Sequence, residues 1–285
     1  MDELTGIGIR QLSYFAEVAE AGTVTAAAEQ LHIAQPSLSQ QIRALERRVG
    51  TPLFHRRPQG MELTDSGRVL LEGVQRAFAE LTSAVAAARG LPRQALVGVC
   101  SGVPETVLRS AEAALHEHGP LHLSLERVSS QDQVGLLRRG DLAFGLLRLP
   151  VDRTALTVRV ISDEPLGVVV GSAHRLAART ALTWDDLADQ QLLWFPAGRA
   201  PGYASQVLAQ LAEHGWSPVL VSVDHSSHTL FRHTLSGRSD LVALRPRHAV
   251  ADDPGLAWRP VGPRAPRERL ALTALRDGPW AKLIG

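Results

Sequence analysis

The sequence predicts an α+β multidomain chain with a winged helix-turn-helix first, one long helix next and an α/β region after it. Three observations predict this order. Residues 22–57 read as helix, tight turn, helix and strand; apolar residues from Leu70 to Ala88 recur at heptad spacing; and beyond residue 94 short apolar runs alternate with helical patterns. The expected divisions are a DNA-binding domain over 1–64, a linker helix over 65–89, a hinge over 90–94 and a regulatory domain over 95–285.

The first helix is expected near residues 9–21, where Leu12, Phe15, Ala16 and Ala19 share one face before Gly22 ends it. Thr23 caps a short, Ala-rich second helix, Val24 to Leu31, and His32 and Ile33 make the turn. Gln35 and Pro36 open the third helix, since Pro is tolerated in a first turn. Leu38, Ile42, Leu45 and Val49 form its buried stripe, and Pro36, Ser39, Gln40, Arg43 and Arg47 its opposite face. Gln pairs bidentately with adenine and Arg with guanine, so such a face suits the major groove. It equally suits the solvated side of any amphipathic helix. After Gly50, Thr51 to His55 reads as a strand, and Arg56 to Gly60 as a turn carrying two guanidiniums, with Met61 to Leu63 returning. A wing tipped with Arg56 and Arg57 fits a narrow minor groove or flanking phosphates. The positive charge is local: six Arg face three acids between Gln35 and Arg68, whereas residues 1–90 carry nine Arg and ten acids.

The run from Leu12 to Leu71, and within it AAAEQLHIAQPSLSQQIRALE followed by the LF and LT of the wing, closely resembles the N-terminal domain of the LysR-type transcriptional regulators. The resemblance implies that Gln35, Pro36, Ser39 and Gln40 read bases, joined on the same face by Arg43, and that Arg56 or Arg57 touches DNA from the wing. Gln40 stands where many members have Arg.

Thr64 caps the long helix, whose seam is Leu70, Val74, Ala77, Leu81, Ala84 and Ala88. A seam of this kind serves a partner helix or the helix's own domain. The resemblance implies the former: family members dimerise here and present two recognition helices to a two-fold related promoter site in double-stranded DNA.

Past the hinge at Gly90 to Gln94, residues 95–100, 121–128, 142–147, 166–171, 192–195, 219–223 and 241–244 read as strands. Helices are expected at 105–116, 131–139, 203–214 and 229–235, giving a mostly parallel sheet covered on both faces. The resemblance adds a periplasmic-binding-protein-like architecture of two lobes, about 95–162 with 266–285 and about 163–265, around an effector cleft. Its marks are Glu164 to Leu166, His174 to Ala177, Trp184 to Leu187 and Pro201 to Tyr203. In α/β sheets ligands bind at the carboxyl ends of strands, beside helix N-termini. Three such places are Ser101, Gly102 and Val103; Ser129 and Ser130; and Gly202 and Tyr203. Ser101, Ser130 and Tyr203 match positions lining the family's effector site. Two serines at helix starts suit a carboxylate effector or serve as plain caps. Two departures are Ala143, where the family's Gly-x-Leu-Asp has Asp, and Ser239 in place of the second Gly of a Gly-x-Gly.

Composition bounds the remaining classes. Net charge is +1, and of the 30 basic side chains only Lys282 is Lys. No apolar run reaches the ~18 residues of a membrane span and no secretory leader is evident, so a cytoplasmic location with no membrane association is expected. Cys100 is the single cysteine, which excludes an internal disulfide, and it reads as a packed residue. Neither His116 with His118 nor His225 with His228 has a third ligand at suitable spacing, so no metal or other cofactor is expected. No nucleophile elbow, phosphate loop or paired-carboxylate pattern points to an enzyme. The expectation is a regulator acting as a homodimer or homotetramer on promoter DNA, answering a small molecule and, by resemblance, contacting RNA polymerase. Its rivals are a regulator sensing a protein or no ligand, and a solute-binding protein or enzyme without DNA binding.

Overall fold

Apolar spacing and turn chemistry build the N-terminal elements. The computed structural model describes residues 6–57, 60–89, 93–117, 119, 121–222, 228–251 and 253–285. Helix α1 (Ile9–Ala21) buries Phe15 and Val18. Helix α2 (Val24–Gln30) is capped by Thr23, whose Oγ1 accepts the Ala26 N–H at 3.1 Å. His32 takes a left-handed conformation, φ 53°, to turn the chain into α3 (Gln35–Val49), which buries Leu38, Ile42 and Leu45. These side chains share one core with Leu53, Phe54 and Val74, and the Phe15 and Phe54 rings meet at 5.3 Å.

The wing is β1 (Phe54–Arg57) paired antiparallel with β2 (Gly60–Leu63). The ladder reaches further than the sequence predicts. Buried Phe54 starts the strand, so Arg56 and Arg57, expected in the turn, lie within the ladder, opposite Met61 and Gly60; Pro58 and Gln59 lie outside the described residues. At Gly60 any Cβ would stand 2.5 Å from the Gly22 carbonyl oxygen, which also accepts the Met61 N–H at 2.7 Å.

Helix α4 (Asp65–Ala88) starts at Thr64, whose Oγ1 accepts the Gly67 N–H at 2.9 Å. Its heptad seam divides along its length. Leu70, Leu71, Val74 and Phe78 pack into the helix-turn-helix core, whereas Leu81 and Val85 are 47% and 49% exposed. Of the predicted hinge, Gly90, Leu91 and Pro92 lie outside the described residues, and Arg93 and Gln94 belong to the next strand. The chain divides into two units, Met1–Leu91 and Pro92–Gly285.

In the second unit come β3 (Arg93–Val99), α5 (Glu105–His116), β4 (Leu121–Arg127), α6 (Ser130–Arg139), β5 (Phe144–Arg148) and β6 (Leu156–Gly171). They are followed by β7 (Gln191–Trp194), α7 (Pro201–Glu213), β8 (Leu220–Ser222), α8 (His228–Ser236), β9 (Leu241–Pro246), β10 (Leu256–Arg259) and β11 (Arg267–Leu275). The order across the sheet is β4-β3-β5-β11-β6-β9-β7-β8, with β10 on β6. Two parallel triplets, β4-β3-β5 and β9-β7-β8, are joined through antiparallel β11 and β6. The sheet is therefore mixed rather than mostly parallel.

The parallel strands are those whose apolar runs stand out in the sequence. The missed ones, β10, β11 and the first half of β6, lack a long apolar run: β11 and the first half of β6 alternate apolar with charged or polar residues (LTVRVISDEP, RERLALTAL), and β10 has only four residues. Strand β6 pairs with β11 from Leu156 to Pro165 and with β9 and β10 from Leu166 to Gly171, so one strand runs through both halves of the domain. Separate hydrophobic cores lie on either side: one contains Phe144, Leu146 and Leu272, the other Leu192, Tyr203, Val207 and Leu244. Val223 of the predicted eighth strand lies outside the described residues. Among the described residues no helix is long and apolar enough to cross a membrane.

Candidate nucleic-acid interface and effector cleft

Because Leu38, Ile42 and Leu45 anchor α3 from below, its other face is turned outward. Gln35, Pro36, Gln40, Arg43 and Arg47 are exposed and Ser39 is half-buried. Ser39 ties the face together: its Oγ accepts from Gln35 Nε2 at 3.2 Å, and its carbonyl accepts from Arg43 Nε at 3.2 Å. On the wing, Arg57 Nε donates to Glu62 Oε2 at 3.2 Å, with both side chains more than half exposed, and Arg56 is exposed. The arrangement presents amide, hydroxyl and guanidinium donors on a convex helix with two further guanidiniums on an adjacent ribbon.

The second unit holds a cavity of about 1000 Å³ lined by strand ends and helix starts from both halves of its sheet. Ser101, Gly102 and Val103 line it after β3, and Ser130 at the start of α6. The serines have defined roles. Ser129, not Ser130, caps α6, accepting the Asp132 N–H at 3.1 Å; Ser130 is 1% exposed and its Oγ accepts the Arg148 N–H at 3.0 Å. Tyr203 lies directly behind the wall: its ring is buried in the second core, stacked 5.9 Å from Phe195 and 6.2 Å from Trp194, with the Arg148 guanidinium 6.0 Å from its centre, while Trp194 and Phe195 line the cavity.

Three charged residues that sequence reasoning passed over dominate the floor. Arg148, at the end of β5, is buried; its Nε donates to Glu268 Oε1 at 2.8 Å and its Nη1 to the Ser101 carbonyl at 2.7 Å. Glu268, on β11, is 4% exposed. Arg245, on β9, enters from the other half, its guanidinium 5.3 Å from the Phe231 ring centre. Gly102 sits between the two arginines with φ 76°, and a Cβ there would stand 3.3 Å from Arg148 Nη2 and 4.0 Å from Arg245 Nη1. Among the described residues Arg148 Nη2 is buried without a hydrogen-bond partner.

Burial alone would depress the Arg148 guanidinium, but the Glu268 carboxylate outweighs it and holds the group above its ordinary value. Arg245 is pushed down by burial and then by the charge of Arg148. Burial, then the Glu268 carboxylate, raises the Tyr203 phenol, and burial raises the Cys100 thiol, whose Sγ lies 3.6 Å from Arg148 Nη1. The floor thus offers two guanidiniums against one carboxylate. The missed signal was short: the apolar runs FGLLR and LVALR each end on an Arg, one at the tip of a strand in each half. Of the histidine pairs, His118 and His225 lie outside the described residues, and His228 Nε2 contacts Asp253 at 2.8 Å.

Residues 9–68 match the family described as "Bacterial regulatory helix-turn-helix protein, lysR family", and residues 95–281 match "LysR substrate binding domain". The HTH-type transcriptional regulator CatR of Pseudomonas putida is 37% identical over 216 residues, spanning 73% of each chain. The Hca operon transcriptional activator HcaR of Escherichia coli (strain K12) is 31% identical over 283 residues, spanning 94% of this chain and 95% of its own. Among solved structures, a full-length OxyR variant from Pseudomonas aeruginosa matches with a TM-score of 0.68 at 23% identity, over 98% of this chain and 95% of that one. Full-length CbnR in complex with its target DNA matches at 0.64 and 24%, over 98% of this chain and 99% of that one. At these identities the structural likeness speaks for the fold. Matched over both its units, this chain belongs to the LysR family of DNA-binding transcriptional regulators, a helix-turn-helix domain followed by a substrate-binding domain.

Proposed function

We propose that the chain binds a pseudo-palindromic promoter site as a dimer or dimer of dimers, with Gln35, Pro36, Ser39, Gln40 and Arg43 in the major groove and Arg56 and Arg57 on the flanking backbone or minor groove. The carrying observation is the outward face of α3, where every one of these side chains except half-buried Ser39 is exposed. The exposed distal half of α4, with Leu81 and Val85 uncovered, is the surface for pairing with a second copy. Gln35→Ala is expected to cost ~1 to 3 kcal/mol on the specific site and to relax base preference there. Equal, unchanged binding of Gln35→Ala to the specific site and to random DNA would remove the recognition-helix assignment.

The cleft of the second unit takes a small anionic effector, with a carboxylate as its simplest form. Support comes from Arg148 and Arg245 converging beside Gly102, and from the unpartnered Arg148 Nη2. Trp194, Phe195 and Phe231 line the same cavity and offer apolar surface for the rest of the molecule. Binding there would shift the relation between protomers on DNA and, through it, contact with RNA polymerase. Thermal-shift screening with small carboxylates tests the effector, since a ligand at 100 times its dissociation constant adds ~2.7 kcal/mol. Absence of any stabilising carboxylate, with DNA binding intact, would leave the cleft to a protein partner or to no ligand.

A further inference from the structure

The last turn of α3 carries an acid, Glu46, beside Arg47 and Arg48. A helix C-terminus favours cations, so a carboxylate there works against the dipole and calls for another partner. That partner is the root of the wing. Glu46 Oε1 accepts the backbone N–H groups of Leu53 at 2.9 Å and Phe54 at 3.3 Å. Both residues are buried in the helix-turn-helix core, and Phe54 is the first residue of β1. Hydrogen bonds to an ionised acceptor are roughly twice as strong as neutral ones, so this carboxylate fixes where the strand leaves the core. Arg56 and Arg57 follow in the same strand, and the direction of its root sets where their guanidiniums arrive. The other wing contacts run elsewhere: Met61 N–H donates to the Gly22 carbonyl at 2.7 Å, and Thr64 Oγ1 to the Pro52 carbonyl at 2.8 Å. Glu46 joins the wing to the recognition helix itself.

We propose that Glu46 is a positioning residue for DNA binding, its carboxylate holding the wing root against the end of α3 and so setting the offset between the Arg56–Arg57 contacts and the Gln35–Arg43 reading face. This rests on the reading of α3 and the wing as DNA-contacting, and the experiment separates the two. Affinity of the full chain for a labelled random-sequence duplex is measured by anisotropy across a salt series. Removing one phosphate contact lowers the slope of log K against log salt by ~0.9.

Glu46→Ala is expected to lower that slope by about 1 to 2 per subunit, about 0.9 for each wing guanidinium that leaves its phosphate, and Arg57→Ala to add nothing further in its background. Glu46→Gln, which keeps an acceptor oxygen at the same reach, is expected to restore the wild-type slope. Should Glu46→Ala be unfolded at the assay temperature, Glu46→Asp, too short to reach the wing root, is expected to show the same loss. An unchanged slope in the folded Ala or Asp variant overturns the proposal, as does a full additional effect of Arg57→Ala in that background; a lowered melting temperature with an unchanged slope marks Glu46 as merely structural. If Arg57→Ala alone leaves the wild-type slope unchanged, the wing reading itself fails and takes the proposal with it.

Discussion

The reading helix and the effector cleft solve opposite electrostatic problems. On α3 the functional groups are exposed and only lightly tied, as in the 3.2 Å contact from Gln35 to Ser39. In the cleft Arg148 and Glu268 are almost fully buried and held at 2.8 Å. A site that reads DNA works by offering unspent donors to a large, hydrated polyanion, whereas a site that senses a small molecule must hold charge away from water until the ligand arrives. Substitutions in the cleft therefore trade stability against function, while those on the outward face of α3 and at the exposed wing arginines change function alone.

The variant that strains that contrast most is Arg148→Ala. It leaves Glu268 buried without its partner, and breaking a buried pair from one side costs ~3 to 5 kcal/mol. All five Trp residues (Trp184, Trp194, Trp216, Trp258 and Trp280) lie in the second unit, so their fluorescence during urea unfolding reports that unit by itself. A loss well below about 1 kcal/mol would mean that the pair is solvated in solution and the contrast with α3 is false.

Arg245→Met approaches the same pair of charges from the other side, since Arg245 suffers burial and repulsion from Arg148. Replacing it is expected to leave the unliganded domain at least as stable. It should also abolish the ~2.7 kcal/mol of stabilisation that a saturating carboxylate confers, a loss read by thermal shift. A variant that keeps the full ligand shift would remove Arg245 from the anion site.

These two regions were unequally legible. A helix places its functional residues three and four apart, so the face of Gln35, Ser39, Gln40 and Arg43 is visible in nine consecutive residues of sequence. The cleft takes residues from the ends of β3, β5, β9 and β11, at positions 101, 148, 245 and 268, and nothing local ties them together. Only the run of β6 through both halves, with β11 beside its first part, assembles the floor, and those stretches are the ones hidden by alternating charge. Ser130 lines the cleft while its Oγ holds the Arg148 backbone, and Tyr203 packs behind Trp194 with its ring 6.0 Å from the Arg148 guanidinium, contacts that no local pattern discloses. Helix α4 is ambiguous for a different reason, because one heptad pattern runs through both its packed half and its uncovered half.

That ambiguity is itself testable. Val74 is 3% exposed inside the N-terminal core, and truncating it to Ala removes about two methylene equivalents, or roughly 1.6 kcal/mol with little change in self-association. Leu81→Asp, on the uncovered half, is expected to do the reverse: the unit stays folded by circular dichroism, while sedimentation shows a shift toward monomer. Loss of folding with unchanged oligomeric state in Leu81→Asp would assign the whole seam to the helix's own domain.

The smallest expected change in stability is at the wing. Arg57 pairs with Glu62, but their side chains are 58% and 60% exposed, and pairs this open are worth little because water and salt screen them. Arg57→Ala is therefore expected to move the stability of the first unit by less than about 0.5 kcal/mol. On DNA the same substitution is expected to weaken specific and random duplexes alike and to lower the salt slope by ~1, since a guanidinium facing phosphate releases counterions without reading a base. A preferential loss on the specific site would instead place Arg57 against base edges, and the division of labour between helix and wing would have to be redrawn.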